Sequence, residues 1–231
     1  MPATATDFMT ELDAQIRAHP VLNDPLVQRI STPGGVTRDQ ARRFALLYYP
    51  HIFRTRLYQA NALGISPDER IQAVLADILW DEYGNGDTSR THPAVYRKFL
   101  KATGVSESEW SIEPRFPELV LYIESMMRLT QSGDWLAAAA AVGIASEWPI
   151  PRLYGDFLKG LRTVPGVCED DLELFVSHIG IDEHHSQMMR DALSPYAHTM
   201  DGQARIRAGV KINLDARRVM MHGLHREVFE A

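Results

Sequence analysis

The chain has 231 residues, and three stretches of it carry side chains able to hold a metal or move a proton. The densest is 177–185, Ser-His-Ile-Gly-Ile-Asp-Glu-His-His. Successive side chains on an α-helix turn by about 100°, so relative to His178 the Asp182 position lies near 40° and the His185 position near −20°. The three share an arc of roughly 60°, whereas Glu183 and His184 fall off it. Two imidazoles and one carboxylate on one helix face suit a transition-metal ion. A solvated hydrogen-bonded face has the same composition, so this stretch alone leaves both readings open. Gly180 puts a gap in the same helix, where a neighbour could approach or the helix could open.

The second stretch ends in Glu147. It follows an apolar, small-sided run, Trp135 to Ser146, whose lack of a polar face marks a buried helix over 134–148. A carboxylate at the end of such a helix is costly unless it is paired or metal-bound, and a salt bridge to Arg152 is the plain alternative. The third stretch is Asp81-Glu82-Tyr83-Gly84 followed by His92. Glu82 closes one helix and His92 opens the next, so the glycine-containing loop between them can bring both to one point. Capping of its own helix is the plain role for His92, and Asp81 and Asp87 read as surface acids.

The elements that must position these residues are all helical. Apolar spacing of three and four residues recurs over 7–18, 41–63, 69–83, 93–102, 116–129, 134–148, 152–161, 169–193 and 202–229, and no alternating strand pattern competes. Ser66-Pro67-Asp68-Glu69 reads as a helix start, with a cap, a first-turn proline and two acids. Pro149-Ile150-Pro151 breaks the chain directly after Glu147. No repeat, low-complexity run or polar linker interrupts the pattern, so one domain over 1–231 is expected.

Composition narrows the function classes. Hydrophobic residues make up 45% and charged residues 23%, the proportions of an ordinary globular protein. A net charge of −6 argues against a general nucleic-acid binder. With one cysteine, Cys168, no intrachain disulfide can form, and its loop-like setting marks it as an incidental thiol. The first residues lack the basic and apolar regions of a signal peptide, and no apolar run is long enough to span a bilayer. A cytoplasmic protein with no membrane partner is the expectation.

Taken together, the three stretches resemble the haem-oxygenase-like dimetal oxidases from about residue 41 to the C-terminal helix. That family's ligand order of Glu, His, Glu, His, Asp, His is filled by Glu82, His92, Glu147, His178, Asp182 and His185. The resemblance implies an all-α, haem-oxygenase-like seven-helix bundle holding two nonhaem irons on those six residues, with O2 as cosubstrate, an external reductant where substrate does not supply the electrons, and no haem. Three imidazoles and three carboxylates without a thiolate suit iron or manganese. The implied activity is oxidation of a small molecule. The nine-residue gap between Glu82 and His92 favours the branches that oxygenate an amine nitrogen or cleave amino acids over those that decarboxylate fatty acids. N-oxygenation in secondary metabolism is therefore the first expectation. Oxidative C–C cleavage or desaturation of an amino acid or fatty acid is the second, and a non-enzymatic interaction protein of the same fold is a distant third. A branch that consumes its own tyrosine and lysine carries a tyrosine directly before the position of Glu147, where this chain has Ser146.

A haem enzyme would need a proximal histidine, for which His19 and His51 are the candidates, and would leave the six-residue match as coincidence. A thiaminase-like hydrolase would need a nucleophilic cysteine better placed than Cys168. For the substrate, Arg152, Arg205 and Lys211 are the candidate carboxylate partners and Tyr154 a candidate pocket wall. An electron-donor partner and a homodimer are compatible with the sequence.

Overall fold

The computed structural model describes residues 4–231, apart from the side chains of 181–183. The described chain is helical from end to end, with ten α-helices: α1 (Ala5–Ala18), α2 (Pro25–Ile30), α3 (Arg38–Ile65), α4 (Glu69–Glu82), α5 (His92–Ala102), α6 (Pro117–Gln131), α7 (Trp135–Gly143), α8 (Ile150–Leu161), α9 (Glu173–Leu193) and α10 (Met200–Phe229). Short 3-10 turns fill several of the joints, and no strand occurs among the described residues. The expected all-helical bundle therefore forms, with ten helical segments rather than seven. Prolines and tight turns divide what would otherwise be longer rods, as Pro25 does at the start of α2 and Pro151 in the first turn of α8.

Local chemistry sets most boundaries. Thr37 and Gln40 form a reciprocal capping box at the head of α3. That helix then runs through Pro50, at the loss of one backbone hydrogen bond. Asp68, not Ser66, caps α4: its carboxylate accepts from the backbone N–H of Arg70 and Ile71, which leaves Pro67 outside the helix. Gly64 lies inside α3 and does not stop it.

The largest departure from the expected elements is at α7, which stops at Gly143, four residues before Glu147. Beyond it, the backbone N–H groups of Ala145 and Ser146 reach back five residues, to the carbonyls of Ala140 and Ala141 (3.1 Å each). This is the wider π-type spacing, which recurs at functional sites. Glu147 therefore projects from a turn between α7 and α8, not from the alanine-rich helix.

α10 lies against α6, α7 and α3, and α9 against α8, α4 and α7, so the middle of the bundle is enclosed on several sides. One apolar core runs through it, with Phe44, Tyr48, Tyr96, Phe99, Phe157 and Phe175 among its fully buried rings. α10 approaches α7 so closely that a Cβ on Gly209 would stand 2.0 Å from the carbonyl oxygen of Ala137. Gly209→Ala is expected to lower stability by about 1–3 kcal/mol through forced separation of the helices. Gly64→Ala, where a Cβ meets nothing within 4 Å, is expected to be neutral or to stabilise by up to about 1 kcal/mol. Urea unfolding of the two variants measures both.

Candidate metal centre

Glu82 and His92 meet because the joint between α4 and α5 folds back sharply. Gly84, Asn85 and Gly86 all take positive φ (68°, 56° and 89°). At Gly84 a Cβ would press within 2.6 Å of the Arg90 backbone, so glycine is required there. Thr91, not His92, caps α5 with its side chain, and this frees the His92 ring to face inward. His92 Nδ1 stands 2.8 Å from Glu82 Oε2. The approach is close but falls outside good hydrogen-bond geometry.

Glu147 enters from the turn after α7, and the turn is clamped from α10. Asn213 donates from Nδ2 to the Ala141 carbonyl (2.7 Å) and to Ser146 Oγ (2.9 Å). Gln59 of α3 donates from Nε2 to Glu147 Oε1 at 3.2 Å. His178 and His185 come from one face of α9, as their spacing requires. The Nδ1–H of His178 donates to the Leu174 carbonyl at 2.6 Å. This fixes the tautomer and leaves Nε2 as the nitrogen able to ligate. His178 and His92 lie with ring centroids 4.4 Å apart. His185 is flanked by acids: Nε2 is 3.0 Å from Asp81 Oδ2 and Nδ1 is 3.8 Å from Glu147 Oε2.

The electrostatics follow from this crowding. Burial works against charge on both Glu82 and His92, but each outweighs it for the other, so the carboxyl is held low and the imidazole high. Burial drives the Glu147 carboxyl upward, with the Glu82 charge adding to the rise and His185 and His92 partly offsetting it. Burial and the nearby His92 push His178 down to about 3, so it is a neutral imidazole at pH 7, the form that binds metal. Burial also opposes charge on His185, where Glu147, Asp81 and Asp77 prevail and raise it.

Five of the six expected residues line one narrow cavity of about 40 Å³: Glu82, His92, Glu147, His178 and His185. The sixth, Asp182, lies outside the described residues. Tyr154 also lines the cavity, with its ring centroid 5.6 Å from that of His178. Among the described residues, no three His, Cys, Asp or Glu side chains are yet arranged around a single point as ligands. Instead they pair with one another across the cavity. The donor set nevertheless fits a cationic group. Two carboxylates no more than 6% exposed face three imidazoles with no buried lysine or arginine bridged to them, Glu82 Oε2 has unshared lone pairs, and all the donors are N or O.

Three expected substrate contacts lie elsewhere. Arg152 reaches Asp156 and Asn23 on the surface, Arg205 pairs with Asp134 at 2.7 Å, and Lys211 pairs with Asp215. Each is a long side chain satisfied by a nearby acid or amide, so none turns inward. A Cβ on Gly180 has no neighbour within 4 Å, so the glycine makes no close helix contact. Asp81, taken for a surface acid, reaches His185. His19 pairs with Asp215 away from the cavity.

Sequence reasoning missed His51 and Arg217 as cavity residues, although both line it. Each interrupts an apolar stripe at helical spacing: His51 stands among Phe44, Tyr48 and Tyr58, and Arg217 among Val210, Leu214, Met220 and Leu224. A polar residue on such a stripe was the available signal.

Residues 42–218 match the family described as iron-containing redox enzymes, of haem-oxygenase type. The chain belongs to this family. It is an iron-containing redox enzyme with an all-α, haem-oxygenase-like fold. It is similar to a 4-aminobenzoate synthase of Nitrosomonas europaea, at 24% identity over 229 residues, covering 94% of this chain and 91% of the relative. A 4-aminobenzoate synthase of Chlamydia muridarum is 28% identical over 182 residues, covering 78% of this chain and 75% of the relative. Two solved structures share the fold. One is a TenA homologue from Pseudomonas syringae pv. tomato (TM-score 0.75, 14% identity, 97% of this chain and 93% of that one). The other is a CADD-like protein of unknown function from Nostoc punctiforme (TM-score 0.72, 16% identity, 97% and 98%). Among the described residues no helix is long and apolar enough to cross a membrane.

The clamp on Glu147 can be tested without knowing the substrate. Asn213→Leu removes the donor that ties both the Ala141 carbonyl and Ser146 Oγ to α10, and leaves the turn held only by its own Ser146 hydrogen bonds. It is expected to cost about 1–3 kcal/mol in urea unfolding and to weaken Fe(II) binding by about 10–100-fold in anaerobic titration, because the support behind a ligand is lost.

Proposed function

We propose that the chain is an O2-dependent nonhaem diiron oxygenase. Glu82, His92, Glu147, His178, Asp182 and His185 would hold the metal pair, and the substrate oxidised would be a small amine or amino-heterocycle. The observation that carries this reading is the convergence of three imidazoles and two carboxylates, from α4, α5, α9 and the α7–α8 turn, on one buried cavity. When bound, a pair of ferrous ions supplies electrons to O2 at a site shielded from water. Each oxygen insertion into an N–H bond consumes one O2, releases one water and takes up two protons and two electrons, so an external reductant is a partner of the reaction.

The chain's own residues perform the rest. The Leu174 carbonyl orients His178, Gln59 and the Asn213-clamped turn orient Glu147, and the folded-back joint presents Glu82 with His92. Asp81 holds the His185 ring in place from outside the cavity, 3.0 Å from its Nε2. Tyr154 and the apolar walls, Ile52, Ile78 and Ile150, press the substrate toward the ligands and limit entry of water. Relatives named for making 4-aminobenzoate, an aromatic amine, support nitrogen-centred chemistry.

Isotope labelling tests the assignment. Iron-loaded protein is supplied with a reductant, 18O2 and a panel of small amines, amino acids and aminobenzoates, and the products are read by mass spectrometry. One or more 18O atoms bound to nitrogen in a hydroxylamine or nitro product is the expected result. O2 consumption with 18O only in water or in a carbon fragment would replace N-oxygenation with desaturation or C–C cleavage at the same site.

A further inference from the structure

Arg217 is the anomaly of the cavity. It stands on α10, is 2% exposed and lines the cavity beside Glu147 and Tyr154. Its Nε and Nη1 make no hydrogen bond. Among the described residues no carboxylate comes within ion-pair distance of it, although most other arginines of the chain have an acid or carbonyl partner. Burial opposes its charge, whereas the surrounding Tyr122, Tyr48 and Tyr154 oxygens and Glu147 favour it, and the net direction is upward. A guanidinium is not neutralised in proteins, so burial cannot relieve this one by deprotonation. A buried, permanently charged fork with two unused donors is unfavourable unless an anion completes it.

We propose that Arg217 docks the carboxylate of the substrate, so the substrate is a small carboxylate-bearing amine. This deepens the function proposed above and rests on it for the amine. The planar guanidinium matches a carboxylate with two parallel hydrogen bonds. The aromatic and apolar walls beside it, Tyr154, Ile52 and Ile150, suit an organic carboxylate better than a fully hydrated phosphate. His51 offers a second polar contact: its ring lines the cavity, is 3% exposed and has no partner at Nδ1, which donates in the tautomer that carries its proton there. A carboxylate docked on Arg217, close to Glu147, directs the rest of a short substrate toward the metal ligands. Arg217 thereby selects among amines and sets which nitrogen is presented. Its contact is with the carboxylate and not with the reacting atoms.

The test uses formate, acetate and benzoate against formamide, acetamide and benzamide, which match them in shape without the charge. Each is titrated by calorimetry into anaerobic iron-loaded protein and into metal-stripped protein. In both forms of wild type at least one carboxylate is expected to bind about tenfold or more tightly than its amide, about 1.4 kcal/mol. Arg217→Lys should lose most of this preference, because the charge remains but the fork is gone. Arg217→Gln should abolish it. A carboxylate held only by iron would keep its preference in both variants and lose it on metal removal, which overturns the proposal. So would the absence of any carboxylate preference in wild type. If Arg217→Gln fails to fold, wild type and Arg217→Lys decide the matter. Iron content measured alongside separates the two claims. Iron-free protein that never loads metal but keeps the Arg217-dependent preference overturns the oxygenase reading alone. Loaded protein without that preference overturns the carboxylate site alone.

Discussion

Glu82 and Glu147 are taken out of water inside a helical bundle, and the surrounding structure is arranged around that cost. A buried carboxylate loses several kcal/mol of hydration after relaxation of its surroundings, and only a compensating cation or a set of hydrogen bonds restores it. His92 stands against Glu82 and His185 against Glu147, and Gln59 supplies a neutral donor to Glu147. Asp81 extends the pairing outward to the edge of the cavity through His185. These contacts compensate only in part, since the approach of His92 to Glu82 Oε2 falls outside good hydrogen-bond geometry. Glu82, Glu147 and the imidazoles would hold a divalent cation, whose charge would offset that of the buried carboxylates. Metal binding and stability of the bundle would then be linked.

The positions of the helices follow from that requirement. The turn at 144–149 brings Glu147 to the cavity by giving up ordinary helical hydrogen bonds, and Asn213 repairs the loss from α10. Gly209, next to it on the same helix, allows α10 to lie directly on α7, which is what puts Asn213 and Arg217 within reach of the turn. The positive-φ joint between α4 and α5 does the same for Glu82 and His92. A site of this kind needs irregular backbone at two places and rigid helices everywhere else.

How much of this was legible in the sequence depended on the range of the signal. The pairing of His178 with His185 is local: helical geometry alone puts them on one face, and they do line one cavity. Glu82 and His92 were legible because they flank a short, glycine-marked joint. The helical character of the bundle was legible from spacing, whereas Pro149 and Pro151, expected to break the chain after Glu147, stand at the start of α8. The early stop of α7 was not, because the alanine-rich run has no residue that forbids continuation, and the Asn213 contact that holds the turn beyond it comes from some seventy positions away. Asp81 was misjudged because its partner, His185, is equally remote. Arginines posed the same problem in reverse. Arg152, Arg205 and Lys211 were candidates by type, yet each is satisfied at the surface, and the buried one, Arg217, was marked only by its place in an apolar stripe.

Membership of an iron-containing redox family and a cavity built from N and O donors meet in one claim, that these side chains hold a pair of irons. Anaerobic Fe(II) titration, with bound metal counted per chain, tests it most directly. Six ligands are too many for one ion that must keep a position open for O2, so saturation at about two Fe(II) per chain is expected. In Glu147→Ala and His178→Ala at least one equivalent should be lost while the helical circular dichroism is retained. Saturation of the wild type at a single Fe(II), unaffected by either substitution, would contradict the account.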